Sequence, residues 1–203
     1  MLTMSARPDE KETFSRAIGR GAWLRLLTEF DAPPLFRLTV ENREHLAAWL
    51  PWVPEITTED DSLRFIRASL DQFARGEGFH AGILSEEALV GVVGLHGISW
   101  EERSTSLGYW IAKSHEGRGL VRRAVQAILA WAYEEQALER VEIRANPANR
   151  RSAGLAERLG FSREGVLRGA ELLNGRYQDL EVYALHRAAW ARLRTSLRGA
   201  RPD

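Results

Sequence analysis

Apolar positions recur at helical spacing in four stretches of this chain and at strand spacing between them. Leu35, Leu38, Leu46 and Trp49 predict a helix over residues 35 to 50. Leu63, Phe65, Ile66, Leu70 and Phe73 predict a second over 60 to 75, with Thr58 or Asp60 to cap it and Gly76 to end it. Leu120, Val121, Ala124, Val125, Ile128, Trp131 and Ala132 form the buried face of a third and leave Arg122, Arg123 and Gln126 outward. The fourth runs from Ala153 to Leu159 and closes at Gly160. Strands are expected at 23–27, 79–85, 88–96, 105–111, 141–145, 162–168 and 180–185, with the meander from 79 to 111 joined by short turns. The pattern is that of a mixed α/β domain.

With 203 residues and 44% hydrophobic content, the chain can bury one ordinary core, and a single domain over residues 21 to 197 is expected. Arg7, Pro8, Asp9, Glu10, Lys11 and Glu12 show no periodicity, so residues 1 to 20 read as a flexible N-terminal arm and 198 to 203 as a tail. No long apolar run predicts a signal peptide or a membrane span, which points to the cytoplasm. Cysteine is absent, which excludes disulfides, thiolate metal sites and a cysteine nucleophile. His45, His80, His96 and His186 lack metal-ligand spacing, and no metal is expected. A net charge of zero and a pI near 7.0 give no support to direct nucleic-acid binding.

The chemistry concentrates between Leu107 and Phe161. Leu107-Gly108-Tyr109-Trp110-Ile111 has strand character, and Ser114-His115-Glu116-Gly117-Arg118-Gly119-Leu120 turns directly into the third helix. Glycines at 117 and 119 permit close backbone approach, and the first helical turn offers unpaired amides at the positive end of the macrodipole. A pyrophosphate suits that point, with a plain structural turn as the other reading. Ten basic against fifteen acidic residues stand in positions 1 to 100, and eighteen against thirteen in 101 to 203, so an anionic carrier would be drawn to the half with the turn. Asn146-Pro147-Ala148-Asn149-Arg150-Arg151-Ser152 then forms a polar entrance to the fourth helix.

Four separated pieces agree in order and spacing with one family: Trp49-Leu50-Pro51-Trp52; Gly108-Tyr109-Trp110-Ile111 with Glu116-Gly117-Arg118-Gly119; Asn149 and Ser152 with Gly160-Phe161; and Glu171 before Asn174-Gly175, Tyr177 and Asp179. From about Trp23 to Trp190 the chain resembles the Gcn5-related N-acetyltransferase (GNAT) superfamily, and within it the bacterial ribosomal-protein N-terminal acetyltransferases of RimJ/RimL type. The resemblance implies a mixed, mostly antiparallel sheet of six to seven strands flanked by about four helices. It also implies a splay between the strands at 107–111 and 141–145, where acetyl-CoA wedges in and its pantetheine arm pairs like a strand.

By the same resemblance, Trp110 and Ile111, the amides of Gly117, Arg118, Gly119, Leu120 and Val121, and the side chains of Asn149 and Ser152 would bind the carrier. Glu171 would act as general base and Ser152 as the acid that protonates sulfur; an exposed loop glutamate and a helix-capping serine are the rival readings. Asn149 has a simple turn asparagine as its rival. Trp49 and Trp52 either shape the acceptor groove or pack in the core. Two positions depart from the family: Ala156 stands where many members carry a tyrosine acid, and Ser114 where the motif prefers Gln or Arg. His115 reads as a surface residue at the diphosphate end, and Asp179 as a structural hydrogen-bond partner.

Without cysteine, direct attack of an amine on the thioester is the expected mechanism. An α-amine near 7.8 has roughly 400-fold more neutral form at neutral pH than a lysine near 10.4, so a single modest base suits a protein N-terminus. The expected activity is therefore acetyl-CoA-dependent N-acetylation of a protein N-terminal α-amine, of ribosomal-protein type. A small-molecule amine or aminoglycoside acetyltransferase and a non-catalytic acyl-CoA-binding module are the alternatives, and a homodimer is left open.

Overall fold

The computed structural model describes residues 14–199 and joins its strands into one eight-stranded sheet of order β1-β2-β3-β4-β5-β6-β8-β7. The strands are β1 (Ser15–Gly19), β2 (Ala22–Leu26), β3 (Phe79–Ser85), β4 (Ala88–Ser99), β5 (Ser104–Ile111), β6 (Arg140–Ala145), β7 (Ser162–Leu173) and β8 (Arg176–His186). All neighbours are antiparallel except β5 and β6. The described helices are α1 (Ala32–Glu41), α2 (Arg43–Ala47), α3 (Glu59–Ala74), α4 (Leu120–Ala130), α5 (Arg150–Arg158) and α6 (Arg187–Gly199).

The mixed, mostly antiparallel class stands as expected, and the element count is larger. The additional strand is β1, which falls inside the stretch read as an arm; of that arm, residues 1–13 lie outside the described residues. Phe14 and Ile18 are buried on its inner row, but Arg16 sits between them. The Arg16 guanidinium lies 5.1 Å from the Phe14 ring centroid and 2.8 Å from the Glu135 carboxylate, so its charge masks the strand alternation in the sequence. The single helix expected over 35–50 is two, broken at Asn42, whose side-chain amide donates to the Leu38 carbonyl at 2.9 Å. Helix α6 is unforeseen because its sequence is rich in arginine; Trp190 anchors it, with the indole N–H donating to Glu134 at 3.0 Å. It occupies the first residues of the expected tail, the remainder of which lies beyond the described residues.

Two apolar layers sandwich the sheet. Helices α4 and α5 pack on one face with Leu107, Ile111, Ile128, Ile143 and Tyr183, while α1 and α3 cover the other with Leu27, Leu35, Ile66 and Val92. At the start of α3 the Asp61 carboxylate accepts from the amides of Thr57 and Thr58, which holds it at about 2, well below the ordinary range.

The sheet opens beside β5. Only Ser104, Thr105 and Ser106 pair with β6, opposite Arg140, Val141 and Glu142, and the strands then part. Backbone groups alternate sides along a strand, and the Ala112 N–H donates to the Val90 carbonyl on the β4 side. The N–H and C=O groups of Tyr109 and Ile111 therefore point into the opening, where β6 pairs with neither.

Candidate active site

One end of the opening is the turn before α4. Gly117 and Gly119 have φ of +72° and +70°, the left-handed region in which an L side chain is strained, and Gly119 is the N-cap of α4. No side chain caps this helix, so the amides of Gly117, Arg118, Gly119, Leu120 and Val121 ring its N-terminus with their donors available to an anion. The Ser114 hydroxyl turns to His115 Nδ1 at 3.0 Å rather than to the turn. A cation arrives from elsewhere: Arg123, expected to face outward, folds back, and its Nη1 donates to the Arg118 carbonyl at 3.2 Å.

The opposite wall is α5. Asn149 caps it, with Oδ1 accepting from the Ser152 N–H at 3.1 Å, so its oxygen serves the helix while its amide nitrogen is free to donate toward a ligand. Ser152 is not itself the cap. Its hydroxyl lies 2.9 Å from the Tyr109 phenol, which comes across the opening from β5. Burial pushes this phenol up to about 12, against the lowering effect of the Ser152 hydrogen bond. Glu116, just before Gly117, shares its carboxylate between Arg151 of α5 and His45 of α2, at 3.4 Å from His45 Nε2. The turn, α2 and α5 are thereby tied together at one mouth of the opening.

Glu171 is on a strand rather than in a loop. It sits in β7 opposite Gln178, just past a bulge at which Leu167 pairs with Leu180 and Glu171 with Gln178. The Asp179 carboxylate accepts from the Gly169 N–H at 2.8 Å inside that bulge, the structural role expected of it. Gln178 in turn accepts from Asn146, the residue after β6, at 3.4 Å, which sets Glu171 beyond the C-terminal end of the parted strand. Burial raises the Glu171 carboxyl above its ordinary value.

The β7–β8 hairpin reaches across to α2, where Asn174 Nδ2 donates to the Ala47 carbonyl at 3.2 Å. Beside this contact lies a groove of about 720 Å³ lined by Glu41, Asn42, Glu44, His45, Ala48, Trp49, Lys113 and Ser114. Trp49 thus faces a groove, whereas Trp52 packs its ring 6.2 Å from that of Trp110. Trp110 differs from its expected placement: its backbone is paired with Val92 of β4, and Tyr109 joins Ile111 in facing the opening. Tyr109 is the residue the sequence reading missed. Its signal was available, since Leu107, Tyr109 and Ile111 share a face, and that face also carries α5.

A sheet opened beside one strand, with uncapped helix amides at one end and paired hydroxyls on the walls, defines a transferase that takes its acyl group from a phosphorylated carrier. An acetyltransferase (GNAT) domain profile matches residues 22–162, and the chain belongs to the GNAT acetyltransferase family. The ribosomal-protein-serine acetyltransferase of Escherichia coli (strain K12) is 30% identical over 79% of this chain and 90% of that protein. YdaF of Bacillus subtilis (strain 168) is 34% identical over 87% of this chain and 97% of its own length. Among solved structures, RimL, a ribosomal L7/L12 α-N-protein acetyltransferase in complex with coenzyme A, superposes with a TM-score of 0.81 at 25% identity, covering 84% of this chain and 96% of that one. The protein is an acetyl-CoA-dependent N-acetyltransferase, which sets aside the non-catalytic binding module.

Proposed function

We propose that the acceptor is the α-amine of a protein N-terminus, a ribosomal protein among the candidates, and that it attacks the thioester directly. The observation that carries this reading is the placement of Glu171. Its carboxyl is raised by burial, and its hairpin closes over α2 beside a groove open enough for a peptide end. A base tuned upward suits an amine that is already partly neutral at pH 7.

Acetyl-CoA supplies the activated acetyl group and a thiol leaving group. The amides from Gly117 to Val121 hold its diphosphate, and the free backbone groups of Tyr109 and Ile111 pair with its pantetheine arm. Asn149 Nδ2 adds a donor to that arm. A backbone N–H of β5 that points into the opening meets the carbonyl oxygen on which negative charge develops. Glu171 takes the proton of the attacking amine, and Ser152 gives a proton to sulfur. Trp49 forms one wall of the acceptor groove. Such an acceptor places the enzyme in the cytoplasm; no helix among the described residues is long and apolar enough to cross a membrane.

A second reading, a small polycationic amine, is favoured by Glu41 and Glu44 on the groove wall. Intact-mass detection of acetyl transfer to peptides with free and blocked N-termini, run beside polyamines, separates the two. Label on free N-termini alone supports the α-amine. Equal labelling of blocked peptides at lysine, or turnover confined to polyamines, overturns it.

A further inference from the structure

We propose that Tyr109 supplies the proton that Ser152 passes to the departing sulfur, so that the two hydroxyls work as one relay across the opening in the sheet. This rests on the acetyl-CoA placement and the Ser152 role proposed above. Tyr109 does not itself reach the thioester and is a positioning residue acting through Ser152.

The pair is held on both sides. Ser152 is fixed by the cap, since its N–H is bound to Asn149 Oδ1, while Tyr109 is fixed by β5 pairing to β4 and by packing against the core layer. Within this frame the phenol has Ser152 as its polar partner, the hydroxyl at 2.9 Å and the carbonyl at 3.5 Å. A phenol is a stronger acid than an alkyl alcohol, so the favoured polarity is Tyr109 donating to Ser152 Oγ. That leaves the serine proton free to turn into the opening. The family's tyrosine position, 156, cannot serve: Ala156 has no exposed surface and packs in the core.

The step balances. As the carbon–sulfur bond breaks, its electron pair goes to sulfur, which takes the Ser152 proton, and the Ser152 oxygen takes the phenolic proton. Tyr109 is left as phenolate and recovers a proton from water. The proton removed from the amine leaves through Glu171, so no net charge accumulates over a turnover. The phenol's high proton affinity favours its recovery and means that transfer runs only in concert with departure of the thiolate.

The chain has no cysteine, so coenzyme A is the only thiol in a mixture of the two, and its bound thiolate can be titrated by ultraviolet absorbance. The full chain saturated with coenzyme A is compared as parent, Tyr109→Phe, Ser152→Ala and the double variant. The parent should ionise the bound thiol at lower pH than free coenzyme. Each single variant should raise that value by about one unit, a tenfold loss of thiolate at fixed pH, with no further change in the double variant. A fluorinated tyrosine placed at 109 keeps the shape, acidifies the phenol and should move the thiol the other way. Identical titrations in all forms overturn the relay, whether or not any amine is acetylated. With an amine the parent acetylates, kcat should fall on the order of 10²-fold in each single variant at steady KM for acetyl-CoA. Parent kcat in Tyr109→Phe also overturns the relay. Failure of the parent on peptide α-amines counts only against the acceptor.

Discussion

The Tyr109 phenol and the Ser152 hydroxyl meet at 2.9 Å from opposite walls of the opening, one carried by β5 and the other by α5. With acetyl-CoA placed as proposed, the contact gives this chain a phenol near the cleavage site although position 156 is alanine. Restoring tyrosine there should therefore bring no catalytic gain. Ala156 has no exposed surface, so Ala156→Tyr overpacks the layer under α5 at a cost of about 1–3 kcal/mol. Thermal unfolding should show a Tm lower by several degrees, and acetyl transfer should not rise. A variant as stable as the parent, with higher kcat, would show that the core has room for a second acid.

Glu171→Gln should separate stability from activity. Removing the proposed base is expected to lower kcat on the order of 10²- to 10⁴-fold with coenzyme binding unchanged. Because burial raises the folded-state value, the group favours the folded state at pH below its unfolded value, and that advantage is lost as pH rises through the folded value. At neutral pH the charged carboxylate is therefore an electrostatic liability, and the glutamine variant should unfold at a Tm no lower than the parent's. In acid, where the carboxyl is protonated in both states, the penalty is gone and the two melts should converge. Parallel melts at pH 7 and pH 4 with steady-state kinetics check both halves. A clear loss of stability at pH 7 would show that Glu171 is held as a structural anion.

The Gly-x-Gly turn can be tested through its backbone. Alanine in the left-handed region costs roughly 1–2 kcal/mol. At Gly117 a Cβ meets nothing within 4 Å, whereas at Gly119 it lies 3.2 Å from Arg123 Nη1. Both Gly117→Ala and Gly119→Ala should weaken coenzyme A binding, and Gly119→Ala should do so more, because it also displaces the arginine beneath the turn. Calorimetric titration of the two variants checks the order. Parent affinity in both would remove the turn from the coenzyme site.

Much of this site was legible in the sequence because its elements announce themselves locally. Glycines at 117 and 119 mark a backbone that only glycine adopts easily, and the apolar stripe from Leu120 to Ile128 marks the helix they begin. Legibility failed where one residue answered to a distant partner. Arg16 hides β1 because its charge is met by Glu135, over a hundred residues away. Arg123 reads as solvent-facing until the turn folds back over it. Tyr109 looks like one more aromatic in a strand until α5 brings Ser152 to it. Glu171 looks like a loop residue because a bulge disrupts the alternation of β7 just before it.

That bulge leads to the last prediction. Between the Leu167–Leu180 and Glu171–Gln178 pairs, β7 has three residues where β8 has one, and the single residue is Asp179. The even surplus of two keeps Leu167 and Glu171 on one face, and Gly169, at φ +56°, makes the loop-out. Asp179 closes the bulge by accepting the Gly169 N–H. This bond is exposed, so water can replace the carboxylate in Asp179→Ala, and stability should fall by only about 0.5–1.5 kcal/mol. Activity should fall further, because a shift of about 1 Å in a positioned base can cost on the order of 10²-fold. Asp179→Asn keeps an acceptor oxygen at the same place and should recover most of the loss. Kinetics of the two variants beside their melting curves check this. Equal activity in parent and alanine variant would mean that Glu171 is held by Gln178 and its strand alone.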